Sequence, residues 1–291
     1  MLWMPMENKR VFVVGGMNLD LLATPRSPLI PRDSTPGDIV MRPGGVGRNI
    51  AARLSELGAR AFLITALGGD QRAAWLKEMC LAAGIDLSLS VETDRPAPCY
   101  LCIHDHTGDM ALAVNDMAAL EALTPARLQP RLGVLNSADA CVLDANLPEE
   151  ALRYLAENAS VPLILDPVSC AKAGRAKPIL HRLAAIKPNR LEAEALTGEK
   201  NVERAAEALL RAGVGQVFIS LGPEGVYYAG KNQRGFVPAP PLPALPLTGA
   251  GDALCAGLTL ALLRGESPRA CAQAGCAAAH AALLRSLSAA E

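Results

Sequence analysis

Short apolar runs rich in β-branched residues alternate with longer stretches of helical period along most of the chain. Consecutive apolar positions are typical of strands that are covered on both faces. The strands predicted in this way are 11–14, 62–67, 140–143, 161–165 and 217–221. The helices predicted between them are 49–57, 71–83, 149–157, 190–196 and 202–211. This alternation predicts an α/β fold with a mostly parallel central sheet and helices on both faces.

Two stretches interrupt the alternation, residues 19–42 and residues 97–116. The first is rich in proline and has no helical period, whereas the second predicts a hairpin with strands 99–103 and 110–114. Long insertions into a regular strand–helix layout often act as lids or binding elements. We therefore expect one domain over residues 1–291, with a small β-sheet lid formed by these two stretches.

The charge balance and the apolar runs exclude some classes of partner. The chain has 28 lysine and arginine residues against 29 acidic residues, so its net charge of −1 does not attract nucleic acid or an anionic membrane. No apolar run approaches the ~20 residues that a membrane span needs. The eight cysteines mostly lie in apolar runs, as small buried side chains do in a reducing compartment. We expect a cytoplasmic protein that binds neither nucleic acid nor membrane.

The segment Thr248-Gly249-Ala250-Gly251-Asp252 opens a helical run near the end of the chain. Glycines at a helix start let backbone N–H groups converge on an anion, and the helix dipole adds to the attraction. An aspartate in the first turn is well placed to accept a proton from an attacking hydroxyl. A plain turn followed by a helix that begins with an acid accounts for the same residues equally well. The segment alone leaves both interpretations open.

A second glycine cluster, Gly44-Gly45, also opens a helix, which contains Arg48 and Asn49. Loops at the carboxyl ends of parallel strands share one crevice, so the two glycine-rich helix starts are candidates for a sugar side and a phosphate side. Neither cluster has the Gly-Lys-Ser/Thr ending of a P-loop. Asp20, after the first strand, has a carboxylate that accepts from two adjacent hydroxyls, as in a ribose diol. A turn aspartate is an equally good interpretation.

Two motifs in the second half of the chain point to a nucleotide. Asn189 and Glu192 have the spacing of a helix capping box, and they are alternatively suited to hold Mg²⁺ through water. Gly222 and Gly225 follow Ser220 at the end of a predicted strand. Glycines there let the backbone approach a flat ligand such as adenine, or they only make the turn.

In this order, the motifs resemble those of the ribokinase-like (PfkB) family of carbohydrate and nucleoside kinases. The motifs that carry the resemblance are Gly16-x-Asn18-x-Asp20, Gly44-Gly45, Gly68-x-Asp70, Asn189-x-x-Glu192, Gly222-x-x-Gly225 and Thr248 to Asp252. The resemblance implies a three-layer ribokinase-like α/β fold with a β-sheet lid. It also implies ATP with Mg²⁺ as co-substrate, and a homodimer paired through the lids.

The resemblance implies a role for each motif residue. For catalysis it implies Asp252 as the base, with Gly249, Ala250 and Gly251 as an anion hole. For the acceptor sugar the implied residues are Asn18, Asp20, Gly44, Gly45 and Asn49. For ATP the implied residues are Asn189, Ser220, Gly222, Gly225 and Thr248, with Glu192 and Asn189 serving Mg²⁺ through water.

Within the family, four stretches look most like pseudouridine kinases: residues 43–51, 114–117, 166–169 and 187–194. The implied reaction is the transfer of phosphate from ATP to the 5′-hydroxyl of pseudouridine. Arg48 and Asn115 are candidates for reading the base, because they lie in stretches that differ from those of ribokinases. For Arg48, a solvated or ion-paired helix residue is the alternative interpretation.

Other functions remain open at this stage. A ribokinase, fructokinase or adenosine kinase has the same machinery with a different lid, and a non-catalytic sugar-binding protein is a more remote alternative. A nicotinamide-dependent oxidoreductase would need a glycine spacing that the loop after the first strand lacks. In relatives, a further loop and helix border a monovalent-cation (K⁺) site. Few residues follow Asp252 to form that loop and helix, so the use of K⁺ is also open.

Overall fold

The structure is a computed structural model that describes residues 9–241 and 249–288. The strands are β1 (Arg10–Val14), β2 (Asn18–Pro25), β3 (Gly37–Gly44), β4 (Arg60–Ile64), β5 (Ala66–Leu67), β6 (Ile85–Asp86), β7 (Val91–Glu92), β8 (Cys99–His104), β9 (Met110–Asp116), β10 (Ala140–Asp144), β11 (Leu163–Asp166), β12 (Ala185–Ile186), β13 (Gln216–Ser220), β14 (Gly225–Gly230) and β15 (Arg234–Pro238). The α-helices are α1 (Val46–Glu56), α2 (Gln71–Ala82), α3 (Pro125–Leu128), α4 (Leu132–Leu135), α5 (Glu149–Asn158), α6 (Cys170–Ala173), α7 (Arg190–Thr197), α8 (Val202–Arg211), α9 (Ala250–Leu263) and α10 (Pro268–Ser288).

The larger sheet has the strand order β15-β14-β13-β12-β11-β10-β1-β4-β6. Neighbouring strands run parallel from β13 to β6, and β14 and β15 are joined to them in antiparallel pairs. In the central strand β1, Val11 and Val13 belong to one buried cluster, and Phe12 and Val14 belong to the other. This two-sided burial is why the strand has apolar residues at consecutive positions.

Helices cover both faces of this sheet. Helices α1, α2, α9 and α10 pack on the face of Val11 and Val13, and α5, α7 and α8 pack on the opposite face. The result is three layers, as the strand–helix alternation predicted. Within the described residues, 9–241 and 249–288, no helix combines the length and the apolar character needed to cross a membrane.

The second sheet is built from the two stretches that interrupt the alternation. Its strand order is β3-β2-β8-β9, with β2 and β8 parallel and the outer pairs antiparallel. Every residue of β9 is exposed, and so is most of β3. Large apolar side chains lie on these outer strands, with Leu112 65% and Val114 67% exposed.

One predicted strand, 62–67, is divided in the structure. Strand β4 ends at Ile64, and β5 leaves the larger sheet to pair with β7 in a separate two-stranded sheet. The side chain of Ser90 compensates for the break, because its hydroxyl donates to the Leu63 carbonyl and accepts from the Thr65 N–H. A buried hydroxyl thus replaces a missing strand partner.

Candidate active site

Helix α9 begins at a glycine with left-handed backbone geometry. Gly249 is the N-cap residue with φ of 85°, a conformation that glycine adopts without strain. The first N–H groups of any helix lack partners within it, so those that follow Gly249 are available to an anion. Asp252 lies in this first turn and is partly exposed. Thr248, the first residue of the predicted motif, lies outside the described residues.

Asp252 contacts the other glycine-led helix directly. The side-chain amide of Asn49 donates to Asp252 Oδ2 at 3.0 Å. Asn49 is fixed in the first turn of α1, where its N–H donates to the carbonyl of the N-cap residue Gly45. Helices α1 and α9 pack against each other. The two glycine-rich helix starts, far apart in sequence, therefore meet at one place.

A buried ion pair lies beside this contact. Lys187 Nζ is 3.1 Å from Asp166 Oδ2, and both side chains are almost wholly buried. A Cβ placed on Gly251 would be 3.5 Å from Lys187 Nζ, so the ammonium group lies at the start of α9. Burial is the largest effect and opposes the charge of Lys187, but Asp166 and the weaker effects of Cys255 and Glu192 together outweigh it, and the pKa of Lys187 is raised.

The charge state of Asp252 depends on these neighbours. Burial and the negative charge of Asp166 raise the pKa of Asp252 to about 7, against the opposing effects of Lys187 and the Asn49 hydrogen bond. A carboxylate with a pKa near the working pH is suited to take up a proton during a reaction. The first turn of α9 therefore combines an anion-binding backbone with a carboxylate suited to general base catalysis.

A second carboxylate, Asp20, lies on β2 at the start of the second sheet. Asn18 donates its side-chain amide to Asp20 Oδ1. A Cβ on Gly44, in the adjacent strand, would lie 2.2 Å from Asp20 Oδ2, so only glycine leaves room for the carboxylate. Burial raises the pKa of Asp20, while Asn18, Arg48 and Arg42 oppose the shift.

Gly45 and Arg48 support this side of the site. Gly45 has φ of 98°, and a Cβ there would lie 2.5 Å from the Gly16 carbonyl oxygen, so the loop and the helix start pack backbone to backbone. The Arg48 guanidinium donates to Asn49 Oδ1 at 3.1 Å. Because that oxygen is occupied by Arg48, the amide nitrogen of Asn49 faces Asp252.

Asn189 and Glu192 form the capping box that their spacing predicted. Asn189 accepts from the Glu192 N–H, and the Glu192 carboxylate accepts from both the backbone and the side-chain amide of Asn189. Glu192 is only 4% exposed, and burial raises its pKa. Each carboxylate oxygen keeps a second lone pair, so this pair fits a hydrated Mg²⁺ through water but has no oxygen free of a hydrogen bond for direct ligation.

The loop after β13 lies next to this capping box. Asn189 and Ser220 form a bridge between neighbouring strand ends, and the Ser220 N–H donates to the Pro188 carbonyl. A Cβ on Gly225 would lie 2.1 Å from a backbone oxygen, so this glycine is required by the turn. A Cβ on Gly222, which has φ of 61°, would meet open space. Gly222 is thus the glycine of this loop at which a flat ligand has room to approach.

Asp144 was missed by the sequence reasoning. It is fully buried at the end of β10, and its Oδ2 accepts from the N–H groups of Gly16 at 2.8 Å and Gly47 at 2.7 Å. Burial raises its pKa. The carboxylate joins the loop after β1 to the start of α1. An acid that ends an apolar strand, as Asp144 and Asp166 both do, was the available signal.

Asn115 lies away from these contacts, in a cleft of about 630 Å³ beside the second sheet. Asn146 and Lys172 also line the cleft, and neither was singled out from the sequence. Among the described residues, the lining includes Asn115 and does not include Arg48. The two residues predicted to read a base therefore do not share one wall.

Comparisons with known proteins identify the family of the chain. The family model for pfkB family carbohydrate kinases matches residues 8–290. The chain is 36% identical over 261 residues to a pseudouridine kinase of Escherichia coli, covering 87% of this chain and 83% of that protein. It is 35% identical over 273 residues to an uncharacterized sugar kinase of the same organism, covering 90% and 75%. A solved carbohydrate kinase from Agrobacterium tumefaciens has a TM-score of 0.83 and 30% identity, covering 93% and 89%.

Proposed function

The chain belongs to the pfkB family of carbohydrate kinases, and on that premise we propose that it transfers the γ-phosphate of ATP to the 5′-hydroxyl of pseudouridine. The observation that carries the proposal is the contact of Asn49 with Asp252 at 3.0 Å. This contact joins the start of α9, which is suited to bind phosphate, to α1 and the adjoining strand β2, which are suited to bind a sugar.

In the proposed reaction, Asp252 acts as the general base. Its carboxylate takes the proton of the 5′-hydroxyl while the hydroxyl oxygen attacks the γ-phosphorus. A bond forms between that oxygen and phosphorus, the bond to the bridging oxygen breaks, and ADP leaves. The pKa of about 7 supports this role, because the group is then basic enough to accept a proton and about half deprotonated in neutral solution.

The start of α9 is proposed to stabilise the transferring phosphoryl group. The backbone N–H groups at Gly249, Ala250 and Gly251 are oriented by the helix, so they are in place before charge develops. Asn189, Ser220, Gly222 and Gly225 are proposed to line the ATP site, together with Thr248. A hydrated Mg²⁺ held through water by Asn189 and Glu192 would supply positive charge to the phosphates.

The acceptor is proposed to bind at the second sheet. Asp20, ordered by Asn18, is suited to accept from two ribose hydroxyls, and Gly44 and Gly45 leave the space that this needs. Pseudouridine is favoured over other acceptors because one of the relatives reported above is a pseudouridine kinase. Asn115 is the proposed base-reading residue at the cleft, whereas the bond from Arg48 to Asn49 favours an orienting role for Arg48.

The second sheet, strands β2, β3, β8 and β9, is proposed to act as a lid and as a dimer interface. Its outer strands expose Ile39, Met41, Leu112 and Val114, an apolar set that a second copy of the sheet would cover. In this proposal the chain is a single domain over residues 1–291, and residues 19–42 and 97–116 form its lid. A cytoplasmic location would supply the ATP.

The test is ATP consumption measured in parallel with pseudouridine, uridine, adenosine, ribose and fructose. We expect the highest kcat/KM with pseudouridine. Preference for a bare sugar would instead identify a sugar kinase, the second candidate, which the sugar kinase relative favours. Binding of a sugar with no ATP consumption for any acceptor would indicate a non-catalytic sugar-binding protein.

A further inference from the structure

A lysine that the mechanism does not use lies in the wall of the cleft. Lys172 is half-buried and donates to Asn146 Oδ1 at 2.6 Å. An ammonium group has three donors and no acceptor, so two N–H donors remain for the cleft. The cleft of about 630 Å³ has room for a planar ring beside a sugar.

Asn146 links this lysine to the proposed sugar site. A Cβ on Gly16 would lie 2.8 Å from Asn146 Nδ2, so the amide lies against the loop that leads to Asn18 and Asp20. Because Lys172 occupies the amide oxygen, the amide nitrogen of Asn146 is the group directed to that loop. The loop that leads to the proposed sugar site therefore contacts the pair formed by Asn146 and Lys172.

The wall around Lys172 is held rigidly in place. The Arg175 guanidinium donates to three successive backbone carbonyls, those of residues 145, 146 and 147. Arg175 thus fixes the loop that carries Asn146. Arg175 makes these bonds to the carbonyls and Lys172 makes none of them. The remaining donors of Lys172 can therefore serve a ligand in the cleft.

The lining of the cleft also offers acceptors. Asp116, Glu121 and Glu149 belong to it, and the latter two pair with Arg95 and Arg153. Three carboxylates against Lys172 and Arg175 disfavour an anionic ligand such as a sugar phosphate. A neutral ring that carries both carbonyl acceptors and N–H donors matches a lining that contains both donors and acceptors.

We propose that Lys172, oriented by Asn146, is a specificity-determining residue that donates to a ring carbonyl of a nucleobase-like substituent on the acceptor. The proposal rests on the proposed function, because it assigns the group that separates a nucleoside from a bare sugar at the same site. It adds a donor to the acceptor site, where the motifs had indicated only Arg48 and Asn115.

A purely structural role for Lys172 makes a different prediction. The buried Asp144 carboxylate favours the charge of Lys172, while burial lowers the pKa of Lys172. If Lys172 served only to balance Asp144, its loss would disturb the loop at Gly16 and Gly47 and would reduce the use of every acceptor alike. The ratio between two acceptors separates the roles.

The experiment compares Lys172→Met with the matched control Lys177→Met, which removes an exposed lysine from the 3₁₀ helix that follows α6. Steady-state kinetics give kcat/KM for pseudouridine and for ribose. We expect the pseudouridine-to-ribose ratio to fall about 10- to 100-fold in Lys172→Met, mainly through KM, as for loss of one charge-assisted hydrogen bond. Lys177→Met should leave the ratio unchanged.

Lys172→Gln keeps a neutral donor and should give an intermediate ratio, and it carries the test if Lys172→Met does not fold. An unchanged ratio, or equal loss for both acceptors, overturns the assignment and leaves the proposed function standing. Calorimetric titration with pseudouridine, without ATP, separates the two proposals. Binding that depends on Lys172, without turnover, supports the assignment and refutes the proposed function. Absence of pseudouridine binding to the unmodified protein refutes both.

Discussion

The two carboxylates proposed to handle the acceptor, Asp252 and Asp20, lie in contrasting parts of the molecule. Asp252 is in the first turn of α9, a helix that packs in the core with most of its residues buried. Asp20 is on β2, whose sheet has largely exposed outer strands. The proposed base therefore belongs to the buried layer, and the proposed recognition of the acceptor belongs to the exposed one.

This difference predicts which kinetic quantity each residue controls. The charge environment of Asp252 consists of the fixed, buried groups Asp166 and Lys187, so it should act on kcat and its pH dependence. Asp20 is ordered by Asn18 and the nearby arginines and should act on acceptor KM. Changes made in both regions test that division.

The largest effect is expected for Asp252→Asn. Loss of the general base should lower kcat by about 10²- to 10⁴-fold, because proton transfer contributes about that much in enzymes. The amide has nearly the same shape, so the melting temperature should not fall. Near-normal turnover of this variant, measured with pseudouridine and ATP, would refute the assignment of the base.

The next effect concerns the buried pair beside Asp252. Lys187→Met leaves the Asp166 carboxylate buried without its partner, which costs about 3–5 kcal/mol in the free energy of unfolding. Denaturant titration measures the loss. The double variant with Asp166→Asn should recover much of it, since neither charge then remains. Additive losses in the double variant would show that the pair is not coupled.

The pH dependence of kcat/KM should also distinguish Asp252 from Asp20. A base with a pKa of about 7 is protonated below that pH, so kcat/KM should rise through neutrality and level off above it. At pH 5 the value should lie about 100-fold below the plateau, because each pH unit removes about tenfold of the active form. Asp20→Asn should keep the same midpoint, and a midpoint that moves in this variant would contradict the division.

Asp20→Asn itself should act on acceptor binding. We expect acceptor KM to rise about 10- to 100-fold, because a hydrogen bond to a charged group contributes about 1.5–3 kcal/mol. The KM for ATP should not change, and kcat should change by only a few fold. A fall in kcat as large as that of Asp252→Asn would remove the distinction between the two regions.

The smallest effect on stability is expected on the outer strands of the second sheet. Leu112→Glu should convert a dimer into a monomer, as measured by light scattering, with the melting temperature almost unchanged. Leu81→Glu is the matched control, because Leu81 is 66% exposed on α2, outside this sheet. A dimer that persists in Leu112→Glu, or an unmodified protein that is monomeric, would refute the proposed interface.

The sequence predicted those elements whose signals are local. Helix 202–211 has the predicted bounds. The hairpin strands predicted at 99–103 and 110–114 begin as predicted and continue for one and two further residues. Strand 62–67 was predicted as one element because Thr65 does not interrupt an apolar run. The division at Thr65 depends on the hydroxyl of Ser90, 25 residues further along, which no local pattern reveals.

In the candidate site, too, the sequence predicted the features whose signals are local. The glycine-led helix starts were predictable because glycine at a helix start is a local signal. Asp144, Asp166 and Lys187 were given no role, although Asp166 and Lys187 begin two of the stretches that look like pseudouridine kinases. Their importance arises from burial beside groups distant in sequence, such as Gly47 for Asp144 and Asp252 for Lys187. Such placement is a property of the fold.

The hydrogen bond from Asn49 to Asp252 also has a consequence for folding during synthesis on the ribosome. It spans 203 residues, and the bond from Gly16 to Asp144 spans 128. At about 5–20 residues per second, ~10–40 s separate the synthesis of Asn49 from that of its partner. Nascent chains that lack α9 have neither the proposed base nor the proposed helix start for phosphate, so we expect that a ribosome-bound fragment does not consume ATP before the rest of the fold is made.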